Sequence, residues 1–244
     1  MSQQPPAPPP PAMPPPPGGP APVGAPYDAI EAIKYAWQKF TENVAPFAIL
    51  AGIGLVLYYI YAVVTNLLLP GGPFDSGVPS GGEMAVAGLV RLLFGLVMTV
   101  AGWVLSVAMV RGALDVVDTG RTDLGRMFTR IPWLQVLLAG ILVTLVVMVG
   151  TVLCIIPGII AAFLLVFTQV GVLEGQEAID AMRSSFELAK TRVGDVLIYL
   201  LLTGVVGTVV VLCTCGLASV VVGPVYTIGL VFTWRILQGR TVAA

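Results

Sequence analysis

Beyond Tyr27 the chain alternates between long apolar runs and short polar connections, and the runs have the length that crosses a bilayer, about 20 helical residues. Six are read, at about Pro46 to Leu69, Ala85 to Val110, Trp133 to Cys154, Gly158 to Leu173, Val196 to Cys213 and Leu217 to Leu237. The fourth is short, and Ile155, Ile156, Pro157 and Gly158 carry no charge, so the third and fourth runs join into one apolar stretch. As a single helix, Trp133 to Leu173 would be about 60 Å long, twice the hydrocarbon thickness. A tight reversal at Pro157 and Gly158 is expected instead, because proline breaks the helix and glycine accepts the turn. The pattern predicts an all-α integral membrane protein with six transmembrane helices arranged as three hairpins.

Two shorter segments have a different period. Asp28 to Val44 and Glu177 to Val193 align without gaps, pairing Ile30 with Ile179, Ile33 with Met182 and Trp37 with Phe186, with acid facing acid at Asp28/Glu177 and Glu31/Asp180. Apolar positions recur at steps of three and four, so each segment reads as an amphipathic helix with one greasy stripe. Each lies just before a span. Interfacial helices, over about 28–44 and 177–193, are expected to anchor in the bilayer through Ile30, Ile33, Trp37, Ile179, Met182 and Phe186. A second echo pairs Leu165-Val166-Phe167-Thr168 with Leu230-Val231-Phe232-Thr233, and Gly150-Thr151-Val152 with Gly207-Thr208-Val209. Repeated elements of shared orientation make a parallel repeat.

The basic residues test the layout independently. Lys34 and Lys39, then Arg111, Arg121, Arg126 and Arg130, then Arg183, Lys190 and Arg192, and finally Arg235 and Arg240 account for 11 of the 12 Lys and Arg. With six spans all of these fall on one side, while the connections around Gly71 to Gly82, Ile155 to Pro157 and Thr214 to Gly216 hold none. The positive-inside rule then places both termini in the cytoplasm, the membrane being the bacterial plasma membrane. Arg91 is the exception, a few residues into the second span from the uncharged side. Two readings are open: its stem snorkels to the headgroups, or it is an intramembrane cation facing a partner or an anionic substrate.

Composition sharpens the class. The 244 residues are 57% apolar and 10% charged, without one histidine, and the net charge is -1. No basic nucleic-acid surface is available, and His-ligated zinc and His-based catalytic triads are excluded. Thirteen of the 20 prolines fall in the first 26 residues, a stretch with no charged side chain. Such a segment cannot form backbone ladders or a core, and is expected as a disordered proline-rich tail, retained in the mature protein, ahead of a six-helix domain over 27–244. It acts either as a ligand for a proline-recognising protein or as a plain tether.

Cys154, Cys213 and Cys215 map to the uncharged side near the ends of the third and fifth spans. Either a disulfide from Cys154 to one of the others staples two hairpins, or the three are buried apolar thiols. The acids all sit in connections or at span ends, where Arg111 with Asp115 and Arg183 with Glu187 are spaced for solvated ion pairs. No cofactor and no metal is expected.

The run Ile156-Pro157-Gly158-Ile159-Ile160, followed by a span and then by Glu177-Ala178-Ile179, Ser185, Glu187-Leu188 and Lys190, resembles YciC-like bacterial membrane proteins. It is also similar to the membrane domain of glycerophosphoryl diester phosphodiesterases. The resemblance covers roughly Trp133 to Leu202 and implies a six-span membrane protein with no established activity. The first expectation for function is a non-enzymatic scaffold or assembly factor for membrane or envelope components, meeting protein partners through the tail and helix faces. The second is a transporter or lipid-handling protein in which Arg91 attracts an anionic head group.

Overall fold

The computed structural model describes residues 27–70 and 80–243, so the proline-rich tail lies outside the described residues. The chain is an all-α polytopic membrane protein: six helices are long and apolar enough to cross a bilayer, and no strand occurs among the described residues. The helices are α1 (Ala29–Glu42), α2 (Val44–Val63, continued by a π-helical turn Val64–Leu68), α3 (Gly81–Thr119), α4 (Leu124–Met127) and α5 (Trp133–Leu153). They continue as α6 (Ile155–Leu164), α7 (Thr168–Leu173), α8 (Ala178–Thr191), α9 (Val193–Cys213) and α10 (Ser219–Leu237). The spans are α2, α3, α5, α6 with α7, α9 and α10. Their connections alternate, so α1, α4, α8 and the C-terminal residues gather at one end, here called the basic end.

The reversal between the third and fourth spans differs from the expected one. The break is the single residue Cys154, extended at φ -170° and ψ 148°, and Pro157 stands within the first turn of α6. A helix's first turn has backbone N–H groups without intrahelical acceptors, so proline costs nothing there and its fixed φ helps start the helix. Gly158 is helical and serves close packing: a Cβ on it would overlap Thr151 Oγ1 and come within 2.8 Å of the Thr151 nitrogen. Gly150 faces it in the same way: a Cβ added there would come 3.0 Å from the Gly158 backbone.

The second span also runs further than its apolar run. α3 is one helix of 39 residues, about 58 Å at the α-helical rise. Its last part is held by protein: Val107, Ala108, Val110, Ala113, Leu114, Val116 and Val117 are all buried. The helix stops at Gly120, whose φ of +77° favours glycine. Buried Asn43, the joint between α1 and α2, fixes that stop. Its amide donates to Lys39 O and Gly120 O, and its carbonyl accepts from the Thr122 N–H.

The core lies at the basic end, around the C-terminal half of α10, where Ile228 to Trp234 are buried without interruption. Three shorter helices at this end dock on spans: α1 on α10, α4 on α3 and α8 on α7. Small residues make the docking possible. α1 buries Ala29, Ala32 and Ala36; α8 buries Ala178, Ala181 and Ser185, the aligned positions. Under α4, Gly112 leaves the space that Met127 fills. The bulky stripe is left uncovered by protein, with Ile30 and Trp37 at 55% and 54% exposure and Ile179 and Phe186 at 72% and 42%. Ile33 and Met182 are half-buried. The anchor residues thus occupy matching faces in both helices, and a second, alanine-lined face attaches each helix to the bundle.

Gly158→Val should destabilise the α5–α6 hairpin by about 1–3 kcal/mol through overpacking, read as a lowered thermal midpoint in detergent. Gly88→Ala, where a Cβ meets nothing within 4 Å, should leave the midpoint nearly unchanged.

Candidate functional site

Arg91 is engaged by its own chain. Its guanidinium donates to Thr65 O, Leu69 O and Pro70 O at 3.1, 3.4 and 2.9 Å. These carbonyls close the first span where it leaves the α-helical pattern. The last carbonyls of a helix lack intrahelical donors and carry its negative dipole end, so a cation there is doubly favoured. The Nη2 of Arg91 is therefore committed to the end of its own first span. The three cysteines are exposed and unbonded. Cys154 belongs to the α5–α6 hairpin, which packs on itself, α7 and α8 and makes no substantial contact with α9 or α10. The staple to Cys213 or Cys215 is absent.

At the basic end the charges form a network that spacing in the sequence does not reveal. Arg235 of α10 bonds Asp118 at 2.8 Å and Glu174 at 3.0 Å, and Arg240 bonds Glu174 at 2.9 Å. The Glu174 side chain is only 8% exposed. Arg111 bonds Asp115 at 3.1 Å as its spacing predicts, but both side chains are 16% exposed rather than solvated, and Arg111 also reaches Leu173 O. Among the described residues Arg183 and Glu187 form no ion pair. Together these bonds tie the basic ends of α3, α7 and α10 around a polar pocket of about 370 Å³. Arg111, Arg235 and Arg240 line it with two acids, Asp118 and Glu174, while Asp115 pairs with Arg111. Beside it Tyr27, whose hydroxyl shares a 2.8 Å hydrogen bond with Thr233, fixes the start of α1, and burial pushes its phenol up to about 12.

The fourth span is broken. Between α6 and α7, Leu165 to Phe167 leave the helix, and Ser185 of α8 repairs the gap. Its hydroxyl, fully buried, donates to Leu164 O at 2.9 Å and accepts from the Phe167 N–H at 3.1 Å. Two cavities flank the break. On the α8 side an apolar groove of about 640 Å³ runs between α5, α6 and α8, lined by Leu142, Ile160, Leu164, Ile179, Met182 and Phe186. Arg183 is its single charged lining residue. On the other side a cavity of about 300 Å³ between α3, α5 and the break carries neutral polar groups, among them Trp103, Ser106, Thr144, Thr168 and Gln169. Leu165 forms part of both walls. Among the described residues no group of three or more Cys, Asp and Glu side chains is placed to hold a metal ion.

Of the residues singled out in the sequence, Ile179, Met182, Phe186 and Pro157 converge on the apolar groove, while Arg91 and the cysteines lie elsewhere. Thr168, Gln169 and Trp103 were not legible as a site, since each is unremarkable inside an apolar run. Only the repeated Leu-Val-Phe-Thr marked the neighbourhood.

The chain is similar to uncharacterized protein Rv2560 of Mycobacterium tuberculosis (strain ATCC 25618 / H37Rv), 28% identical over 232 residues, covering 87% of this chain and 69% of the relative. The same identity and coverage hold for uncharacterized protein Mb2590 of Mycobacterium bovis (strain ATCC BAA-935 / AF2122/97) and uncharacterized protein MT2637 of M. tuberculosis (strain CDC 1551 / Oshkosh). No protein-family model matches the chain, and no solved structure matches it.

Glu174→Ala should cost about 3 kcal/mol, because it leaves Arg235 and Arg240 short of their shared counter-charge in a shielded site. Asp195→Ala removes a 3.8 Å pair with largely exposed Arg192 and should cost about 0.5 kcal/mol. Thermal unfolding of the two variants in the same detergent checks the contrast.

Proposed function

We propose that this polytopic membrane protein is a non-enzymatic lipid-handling protein of the bacterial plasma membrane, with its basic end in the cytoplasm. The observation that carries the reading is the groove between α5, α6 and α8. It has an apolar lining from Pro157 to Leu165 and from Ile179 to Phe186, and one cation, Arg183. An acyl chain lying along Leu142, Ile160 and Phe186 would bring an anionic head group to Arg183, with the energy coming from apolar burial and the selection from charge. The uncovered stripe of α8 forms one lip of the groove, so the interfacial helix and the lipid would share a surface. The YciC-like resemblance, which spans this hairpin and α8, is part of the same proposal and brings no activity with it.

The scaffold reading stands second. It is favoured by the proline-rich tail together with the position of the chain ends: Tyr27 is tied to Thr233, and Ala243 accepts from the Tyr35 hydroxyl at 3.0 Å. Tyr27 and Ala243, at the two ends of the described residues, are thus tied to α10 and α1 respectively, two helices that pack on each other, and a partner at this end could meet both.

Two measurements test the proposal. In nanodiscs, a photoreactive phosphatidylglycerol should label the α6 and α8 peptides, and Arg183→Gln should lower that labelling about fivefold, the equivalent of about 1 kcal/mol. Equal labelling of parent and variant would remove the head-group assignment. For orientation, an impermeant maleimide applied to intact cells should modify Asp75→Cys in a background without Cys154, Cys213 and Cys215, and should leave Arg121→Cys unmodified. Reaction at Arg121→Cys would reverse the topology.

A further inference from the structure

The cavity on the far side of the break, between α3, α5 and the start of α7, has a feature the groove lacks. Thr168 lines it, is 2% exposed, and its hydroxyl has no hydrogen-bond partner. Gln169 lines it too, and its amide makes no hydrogen bond among the described residues. An orphaned hydroxyl in an apolar setting costs about 1–3 kcal/mol. The chain shows how it satisfies the same position elsewhere. Thr233 is the counterpart of Thr168 in the repeated Leu-Val-Phe-Thr. There the hydroxyl donates to Gly229 O at 2.7 Å and meets the Tyr27 hydroxyl at 2.8 Å. At Thr168 both partners are missing. The helix is broken, Leu164 O is taken by Ser185, and Gln176, which stands before α8 as Tyr27 stands before α1, accepts from Ser184 instead.

The rest of the lining says what would fill the gap. Towards the basic end the wall is polar and uncharged, through Ser106, Thr168 and Gln169; deeper in the span it becomes Val143, Val147 and Ala162. Ser106 and Thr144 are exposed on the outer face of the bundle, within helices that cross the bilayer, so the cavity opens sideways to lipid. Their own hydroxyls are engaged with Trp103 O and Gly140 O, leaving Thr168, Gln169 and the Trp103 indole N–H as the unengaged polar groups of the lining. A mouth facing lipid excludes a soluble ligand, and a wall without Lys, Arg, Asp or Glu gives no counter-charge to a phosphate.

We propose that this cavity binds an uncharged membrane lipid, with hydroxyl or ester oxygens on Thr168 and Gln169 and the apolar part against Val143, Val147 and Ala162. The inference shares the lipid-handling reading but rests on a different cavity, and Arg183 has no part in it. It makes the protein one with two lipid sites of opposite preference on either side of one broken helix, anionic at α8 and neutral at α3.

The test uses the full chain in nanodiscs with a photoreactive diacylglycerol and, separately, a photoreactive phosphatidic acid of the same acyl chains. Diacylglycerol should label the peptides carrying Val136–Val147 and Ala162–Val172, and Thr168→Val and Gln169→Leu should each lower that labelling about fivefold. Thr168→Val removes an oxygen that has no partner, so it should fold at least as well as the parent; Thr233→Val, which loses two partners, should fold less well and keep the labelling per folded molecule. Phosphatidic acid should label the cavity about tenfold less. The proposal is overturned if Thr168→Val and Gln169→Leu label as the parent does, if phosphatidic acid labels equally, or if no labelling rises above that of lipid-facing Leu89, which would mean the cavity holds water. Loss of the Arg183 effect with these results intact would strike the groove and leave this site standing.

Discussion

Inside a bilayer no water is available to satisfy a backbone N–H or C=O, so each interruption of a helix must be closed by the protein itself. This constraint accounts for the side chains that otherwise look misplaced in apolar spans. Where the first span leaves the α-helical pattern, Arg91 supplies donors to three carbonyls. Where the fourth breaks, the Ser185 hydroxyl serves one carbonyl and one N–H at once. At the turn between the fifth and sixth spans Tyr59 reaches across from the first and donates to Cys215 O at 2.6 Å. At the basic end Asn43 performs the same service for Gly120 and Thr122. A residue such as Arg91 is costly in hydrocarbon in isolation, and becomes economical as the cap of an end that would cost more uncapped.

Lipid tails are as apolar as leucine, so spans have little hydrophobic reason to associate and rely on close approach and polar contacts. The molecule follows this division. Between α5 and α6 the contact is Gly150, Thr151 and Gly158, backbone against backbone. α1 and α8 attach through alanine and serine and turn Ile30, Trp37, Ile179 and Phe186 outward, while α4 seats Met127 over Gly112. The bulk of conventional packing sits at the basic end, where Phe167 and Trp234 place their rings 5.4 Å apart and the ions of α3, α7 and α10 meet. That end is where side chains are most buried; the other halves of the spans leave most of their apolar side chains exposed.

The two halves of the repeat show how function enters such a frame. α1 on α10 is complete: the threonine is satisfied and the start of the helix is pinned by Tyr27. α8 on α7 keeps the same faces and the same stripe but breaks its span, with Ser185 in place of Ala36. The break uses one side of the gap for repair and leaves the other open, and the two flanking cavities are its consequence. A site arises where the repeat departs from itself.

Much of this was legible beforehand because it depends on local quantities. Length and hydropathy determine six spans, the charge distribution determines one basic end, and the period of three and four determines α1 and α8 with Ile30, Trp37, Ile179 and Phe186 on one stripe. What lay hidden depends on partners far apart in the chain. Pro157 is read as a break by its own chemistry, yet a helix that starts at Ile155 rather than Gly158 turns it into a first-turn proline. Arg91 looks like a free cation until the end of the first span is placed beside it, and Glu174 looks solvated until Arg235 and Arg240 arrive from the sixth span. Thr168 and Thr233 sit in the same four-residue phrase, and no local property separates them. Only the tertiary structure decides that one hydroxyl is satisfied and the other is not, because a hydrogen bond depends on which partner reaches it in space, and apolar runs of similar composition carry no record of that.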